Sequence, residues 1–413
     1  MSQETLARAA YFNRGTLSQI ELGNQDCPDD ILIAIRRALE IEDLPIKESE
    51  RDDYKDRLYE WYNVIGERRL NEAKELQTKL SVIKLLRHDV ELNNLFSLFE
   101  SRLFLGLDKL TQSKEILDAF KKNLDGLNDI QLYHYYSIQG TYNSRSNSNQ
   151  KALDFYLKAY KLMKHGFEKD ISLYYNIAYS YQRLGFLSRA ITFIEEACTL
   201  NSLSQKNVQG FILYNFLGLS YARVGLFQRA KTLLEKAHSI ANSLYKDNVN
   251  VETKAHMCLA LLNYGYMFRM AKKWNRAIEY LDKSLTYIDN TSPYYLEVIY
   301  QKTRCLIQMG DILPCKDLLL KGIELSKEKE SYSLLFKALK LLINLNDESA
   351  KQLETQILPY LLKNNNTSPA LDYARCLRDY YRSRGRGFKT RAYMMADIID
   401  NIRDKMHEGG VIE

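Results

Sequence analysis

The sequence contains few residues that interrupt helices and no long apolar run. Its 413 residues include only six prolines and eighteen glycines, which favours a mostly helical chain with short turns. No apolar run reaches the roughly 18–20 residues that a membrane-spanning helix needs. The first residues, MSQETLARAAYF, lack the basic and then apolar order of a secretory signal peptide. We therefore expect a cytoplasmic protein that does not enter a membrane.

Cysteine and histidine show no arrangement typical of a metal or catalytic site. The six cysteines include no C-x-x-C pair. Cys198 and Cys315 fall at small-residue positions of an internal repeat, which indicates buried free thiols. The six histidines are separated from each other, and the chain has no glycine-rich phosphate loop, H-E-x-x-H or G-x-S-x-G motif. We expect a protein that is not an enzyme and binds no cofactor or metal.

One residue pattern recurs along most of the chain. Its clearest copies are Ile177–Ala197, Leu217–Ala237 and Tyr264–Ser284. In each copy a small residue is followed three positions later by an aromatic residue, and a second and a third small residue come later still. The small residues are Ala178, Ala190, Ala197, Gly218, Ala230, Ala237, Gly265, Ala277 and Ser284, and the aromatic residues are Tyr181, Tyr221 and Phe268. Small residues at fixed places in two successive helices let their backbones approach closely, and the aromatic ring fills the space beside them.

This pattern resembles the tetratricopeptide repeat (TPR), a helix–turn–helix unit of about 34 residues. Weaker copies bring the number of repeats to nine. They cover Tyr54–Arg87, Asn94–Asp125, Tyr133–Gly166, Leu296–Lys329, Ser331–Asn364 and Pro369–Met406. The resemblance implies an all-α fold, a right-handed superhelix of about nine helix pairs whose concave wall binds a ligand.

Residues 1–45 lack the repeat and resemble the Cro-repressor-like (XRE) helix-turn-helix family. Gln3, Leu6 and Ala7 match its supporting helix, and Asn13–Ile20 matches its recognition helix. Ser2 and Asn13 are suited to cap these two helices. We assign residues 1–45 to a helix-turn-helix domain and residues 46–413 to a TPR domain for peptide binding and dimerisation. The residues expected to contact DNA are Gln3, Arg14, Gly15, Thr16, Ser18 and Gln19.

The helix-turn-helix segment departs from its family in three respects. Nothing precedes the supporting helix, where the family has another helix, so the domain reads as truncated or its start as lying upstream. Tyr11 stands where the family usually has glycine, which is unfavourable if the turn needs a left-handed residue. The segment also carries four basic and eight acidic residues, whereas phosphate neutralisation needs positive charge. By itself it is expected to bind DNA weakly.

A Cro-like domain followed by TPR repeats resembles the cytoplasmic peptide-pheromone receptors of Gram-positive bacteria, the family of the neutral-protease regulators. The resemblance implies a quorum-sensing transcriptional regulator that binds a short imported signalling peptide in its TPR groove. Peptide binding would change DNA binding or the dimer state, with a homodimer reading two half-sites of double-stranded DNA. Relatives that lack the DNA-binding domain are the response-regulator aspartate phosphatases.

Three groups of side chains are candidates for contact with such a peptide. Asparagine amides carry both a donor and an acceptor for a peptide backbone, arginines can hold a carboxylate through two hydrogen bonds, and tyrosine rings can wall apolar pockets. The candidates are Asn176, Asn215, Asn263, Arg183, Arg223, Arg269, Arg304, Tyr175, Tyr179 and Tyr266.

Two alternatives remain open for these residues and for the protein. The asparagines are equally consistent with packing inside TPR helices, and the arginines with intramolecular salt bridges. The chain is also consistent with a TPR module that binds a response regulator or another protein and keeps a vestigial DNA-binding segment. A TPR adaptor that binds the carboxyl end of a partner is disfavoured, because the lysines of such a site are missing.

Overall fold

The computed structural model describes residues 2–22, 24–39, 48–67, 69–86, 89–164, 169–201 and 208–408. These residues form α-helices joined by short turns, and the described ranges contain no strand. The prediction of an all-α fold is confirmed. The chain divides into two compact units, unit 1 (Met1–Glu168) and unit 2 (Lys169–Glu413). Within the described ranges, none of the helices combines the length and hydropathy needed to cross a bilayer.

Unit 1 begins with three short helices and continues with three antiparallel helix pairs. The short helices are α1 (Gln3–Ala9), α2 (Arg14–Glu21) and α3 (Asp29–Ala38). The pairs are α4 (Glu48–Gly66) with α5 (Leu70–Leu86), α6 (Val90–Gly106) with α7 (Leu110–Lys121), and α8 (Asp129–Arg145) with α9 (Asn149–Lys164). A core that includes the buried Trp61 and Phe99 holds the first two pairs together.

The two helix caps predicted at the start of unit 1 are present. The Ser2 side chain caps α1 by accepting a hydrogen bond from the backbone of Thr5, and Asn13 Oδ1 caps α2 at 2.7 Å from the Gly15 nitrogen. Leu17 is buried in the small core that these helices share. Tyr11 has a φ of 58°, so the turn requires the left-handed conformation at the position where the family has glycine.

Unit 2 contains six further helix pairs. These are α10 (Ile171–Leu184) with α11 (Leu187–Asn201), α12 (Val208–Arg223) with α13 (Phe227–Asp247), α14 (Val251–Met270) with α15 (Trp274–Leu285), α16 (Tyr295–Met309) with α17 (Ile312–Leu325), α18 (Glu330–Ile343) with α19 (Asp347–Gln352) and α20 (Leu358–Lys363), and α21 (Thr367–Ser383) with α22 (Lys389–His407). A π-helical turn, Leu353–Ile357, joins α19 to α20. The described residues of the two units therefore contain the nine predicted helix pairs.

The small residues of the repeat lie where the paired helices touch. A Cβ atom added to Gly265 would lie 2.6 Å from the side chain of Leu281 on the partner helix. Ala178, at the place equivalent to Gly265, and Ala190 and Ala230, at the second small position of their repeats, are fully buried. Packing at this distance leaves no room for a larger side chain, which explains why the pattern keeps small residues there.

The turn inside most helix pairs uses one residue with positive φ. Glycine occupies this position in some pairs, but three pairs of the described chain use another residue. The residues are Asp108, Asn147, Gly185, Gly225, Lys272, Gly310 and Gly385. A left-handed residue reverses the chain within a few positions, so the second helix returns antiparallel to the first.

Candidate peptide-binding site

The residues predicted to contact a peptide lie on the first helices of four consecutive pairs in unit 2. Asn176, Tyr175, Tyr179 and Arg183 are on α10, and Asn215 and Arg223 are on α12; Asn263, Tyr266 and Arg269 are on α14, and Arg304 is on α16. The structure thus brings residues from 130 positions of sequence onto neighbouring helices, and α21 packs against them from the last pair.

Two of the three asparagines bond to each other. Asn263 Nδ2 donates to Asn215 Oδ1 at 3.0 Å, and Asn215 Nδ2 donates to the Phe211 carbonyl at 3.0 Å. Both residues are buried, whereas Asn176 is half-buried. Each amide has two N–H groups and two acceptor positions, so these bonds fix the side-chain orientation and leave hydrogen-bonding capacity for a further group.

The tyrosines on α10 form an aromatic face. The rings of Tyr175 and Tyr179 stack with centroids 6.4 Å apart, and the Tyr175 ring meets Phe216 of α12 edge-on at 5.6 Å. Tyr179 is the more exposed of the two. An aromatic surface of this kind provides apolar contact area together with polar tips.

Two of the arginines share a single carboxylate. Arg269 Nη1 lies 3.3 Å from Asp372 Oδ2, and Arg304 Nη2 donates to the same oxygen. Both arginine side chains are 6% exposed and Asp372 is 28% exposed. Arg183 and Arg223 make no ion pair with the described residues.

The phenol of Tyr266 lies among these cations. Its hydroxyl donates to Ser368 Oγ at 2.8 Å, and its ring centroid is 5.0 Å from the guanidinium carbon of Arg269 and 5.8 Å from that of Arg223. Burial alone would raise the pKa of Tyr266, but Arg223, Arg269, the Ser368 hydrogen bond and Arg304 lower it to about 8. Burial and the neighbouring Arg304 lower the pKa of Arg269 to about 10.

These helices and the turn before α21 enclose a cavity of about 210 Å³, which we call the arginine cavity. Its wall is mostly polar. It includes Gln182, Arg183, Arg223, Tyr266, Glu297, Tyr300, Gln301, Arg304, Leu335, the turn residues Asn365 and Asn366, and Thr367, Ser368 and Pro369 at the start of α21. Three of the four predicted arginines and one predicted tyrosine thus meet at one cavity, while the two asparagines bonded to each other lie on the same helices, α12 and α14.

Sequence reasoning missed the residues that α21 and its preceding turn contribute. Asp372 contacts arginines that lie 103 and 68 positions earlier in the chain. Ser368 likewise reaches Tyr266 across 102 positions. No spacing within one repeat could have shown these contacts, because they join the last helix pair to the middle ones.

The residues predicted to contact DNA lie on α1 and α2 in unit 1. Arg14, Gly15 and Gln19 are exposed, while Thr16 and Ser18 are half-buried. Two of the six residues also form side-chain hydrogen bonds within the protein. Gln3 donates to the Glu21 carboxylate, and Gln19 accepts from the Asn24 amide at 3.2 Å.

The described histidine with the largest pKa change is not part of this site. His134 is buried in unit 1 among aromatic rings, with ring centroids 4.8 Å from Phe99 and 4.9 Å from Tyr62. Burial, and then the charge of Arg102, lower the pKa of His134 to about 3, so it stays neutral in the folded protein. His88 and His165 lie outside the described residues.

The chain is similar over most of its length to Rap proteins and to the quorum sensor NprR. Regulatory protein RapD of Bacillus subtilis (strain 168) is 24% identical over 340 residues, which cover 79% of this chain and 93% of RapD. A Rap protein solved in complex with competence and sporulation factor matches with a TM-score of 0.71 and 16% identity, over 86% of this chain and 98% of that protein. The apo form of the quorum sensor NprR from B. thuringiensis matches with a TM-score of 0.67 and 21% identity, over 85% of this chain and 99% of NprR.

The chain therefore has the fold of these Rap and NprR proteins. The predicted resemblance is confirmed at that level. No protein-family model matches the chain.

Proposed function

We propose that this protein is a peptide-sensing regulator that binds a short signalling oligopeptide across the first helices of unit 2. The observation that carries the proposal is the convergence, on α10, α12, α14 and α16, of amide groups, an aromatic face and a cluster of arginines. Asn215 and Asn263 are fixed by their mutual hydrogen bond and can bond a peptide backbone whatever its sequence. Similarity to NprR, which was solved in complex with its cognate peptide NprX, supports the same assignment.

The peptide-binding step is tested by affinity selection from a pool of short synthetic peptides, followed by calorimetry with the peptides recovered. Replacing Asn263 by Ala removes one or two hydrogen bonds to the peptide backbone, so we expect binding to weaken roughly tenfold. Asn275→Ala is the matched control, because Asn275 is exposed on α15, the second helix of the same pair. Recovery of no peptide, or equal affinity for both variants, would contradict the proposal.

In the leading form of this function, the bound peptide changes how α1–α3 contact DNA or how two copies pair. The helix caps and the exposed Arg14 support a recognition role for α2. Selection of bound sequences from a random double-stranded DNA pool tests it, with and without peptide. A sequence enriched by the parent protein but not by Arg14→Gln supports the DNA role, and binding that is salt-insensitive opposes it.

A second function, binding of a response regulator, is favoured by the charge of the N-terminal segment. Residues 1–45 carry four basic and eight acidic residues, which disfavours contact with DNA phosphates. The Gln3 side chain also donates a hydrogen bond to the Glu21 carboxylate. In this form the bound peptide releases a protein partner. Titration of purified response regulators with the protein, in the presence and absence of peptide, distinguishes the two forms when run beside the DNA selection.

A further inference from the structure

The arginine cavity is too small to hold a peptide but large enough for one side chain. Its volume is about 210 Å³, below the roughly 300–1,000 Å³ of sites that enclose a drug-sized ligand. The cavity lies among α10, α12, α14, α16 and the turn before α21. It is therefore suited to receive one group of a longer ligand.

Positive charge exceeds negative charge around this cavity. Its wall includes Arg183, Arg223 and Arg304. The guanidinium carbon of Arg269 lies 5.0 Å from the ring centroid of Tyr266, which also lines the cavity. Among the described residues that ion-pair with these arginines or line the cavity, only two carry a carboxylate. Asp372 is shared between Arg269 and Arg304, and the other carboxylate, that of Glu297, accepts from Gln301 at 2.6 Å and from Tyr332 at 3.0 Å. Four cations thus face two anions, and the imbalance favours a further anion.

Two donors in the cavity wall are buried and make no hydrogen bond with the described residues. They are Nε of Arg223 on α12 and Nε2 of Gln182 on α10. Leaving such donors unpaired costs free energy. A ligand oxygen that accepts from them would remove that cost, so both donors point to an acceptor-rich group rather than an apolar one.

The protein already shows how this cluster holds a carboxylate. Arg304 and Arg269 donate to one oxygen of Asp372, and Arg375 Nη1 lies 3.8 Å from its other oxygen. The guanidinium carbon of Arg223 lies 5.8 Å from the centroid of the Tyr266 ring, and Arg223 has no ion pair among the described residues. Arg183 also lines the cavity without an ion pair among the described residues, but Arg223 in addition has a buried Nε with no hydrogen-bond partner there, so we assign the incoming carboxylate to Arg223.

We propose that the arginine cavity is a carboxylate subsite, in which Arg223 and Gln182 hold one acidic side chain or the carboxyl terminus of the bound peptide. This inference rests on the proposed peptide-binding function and specifies the class of peptide. Peptides that carry a suitably placed carboxylate bind, and their amide counterparts bind more weakly.

The two sources of a carboxylate are distinguished by four pools of short synthetic peptides offered to the full chain. The pools contain either Asp and Glu or only Asn and Gln at the randomised polar positions, and end in either a free carboxyl group or an amide. Preference for the acidic pools assigns a side chain, and preference for free termini assigns the terminus. Peptides recovered equally from all four pools overturn the subsite while leaving peptide binding intact. Recovery from none overturns both.

Substitutions then test the two named donors. Arg223→Gln and Gln182→Leu are each expected to weaken binding of a recovered peptide roughly ten- to hundredfold, and to leave its uncharged amide counterpart unchanged. Arg276→Gln is the control, because Arg276 is exposed on α15 and outside the cavity wall. Circular dichroism establishes that each variant is folded. If Arg223→Gln does not fold, Gln182→Leu alone decides the matter, and an unchanged affinity there overturns the proposal.

Inorganic phosphate serves as the probe for an unspecific anion site. We expect millimolar phosphate to compete only weakly with the acidic peptide. The extent of this competition should be the same in the parent protein and in Arg276→Gln. Competition by phosphate that is as effective as the peptide itself would show a general anion site and overturn selectivity for a peptide carboxylate.

Discussion

Removing the charge of Asp372 is expected to destabilise unit 2. In Asp372→Asn, Arg269 and Arg304 keep their buried positions, each with a side chain 6% exposed, but lose the carboxylate they share. Breaking a buried ion pair from one side costs about 3–5 kcal/mol, since the remaining charge is left uncompensated. Asp372 is itself 28% exposed, and asparagine can still accept one hydrogen bond. We therefore expect the free energy of unfolding to fall by about 2–3 kcal/mol.

Thermal unfolding measures this effect directly. For a unit of this size, about 1 kcal/mol shifts Tm by roughly 2–4 °C, so Asp372→Asn should lower Tm by about 4–12 °C. Glu279→Gln is the control, because it breaks an exposed ion pair with Lys283 in which both side chains are 56% exposed. Exposed pairs of this kind contribute little to stability, because solvent screens the two charges.

Equal shifts in Tm for the two variants would refute the reasoning. They would mean that Arg269 and Arg304 regain solvent or other partners at no cost when the carboxylate is removed. In that case the inference that the arginines around the cavity carry an excess of positive charge would also fail. A large loss of stability that is partly restored by added acidic peptide would instead support both the ion pair and the carboxylate subsite.

Three further predictions concern other positions. The pKa of Tyr266 in the folded protein is about 8, below the ordinary value near 10. The folded state should therefore gain stability relative to Tyr266→Phe as pH rises from 8 to 10. The phenolate absorbance that develops near pH 8 should disappear in that variant, and identical titration curves for the two proteins would contradict this. The pKa of His134 is lowered to about 3 in the folded protein. As pH falls below about 6.5, the unfolded chain therefore binds a proton at this residue that the folded chain does not, which destabilises the fold. In denaturant titrations, His134→Phe should lose less stability on acidification than the parent. Lys272 has a φ of 57°, a conformation that glycine adopts without strain, so Lys272→Gly should raise the free energy of unfolding by about 1 kcal/mol. Ala271 has a φ of −77°, so Ala271→Gly should lower the free energy of unfolding. The reverse order would contradict the argument from backbone strain.

Sequence patterns predicted the helix pairs because the contacts inside a pair are local. Gly265 and Ala277 sit close in the chain, and their size is dictated by the meeting of two adjacent helices. The caps Ser2 and Asn13 were predictable for the same reason, since a cap bonds within three residues of itself. The fold therefore followed from short-range rules.

The environment of the candidate site was not predictable in this way. The sequence indicated which arginines and tyrosines share the first helices of the pairs, yet gave no sign that Asp372 and Ser368 reach them from the last pair. Those contacts depend on how successive pairs pack, to which every repeat contributes. As a result, Tyr266, proposed from sequence as the wall of an apolar pocket, lies among guanidinium groups.

Photo-crosslinking tests the central claim, that a peptide binds across the first helices of unit 2, most directly. A recovered peptide is resynthesised with a photoreactive residue at each position in turn, crosslinked to the full chain, and the attachment sites are mapped by mass spectrometry. The account predicts crosslinks confined to α10, α12, α14, α16 and the turn before α21. Crosslinks that concentrate in unit 1 or on the second helices of the pairs would contradict it.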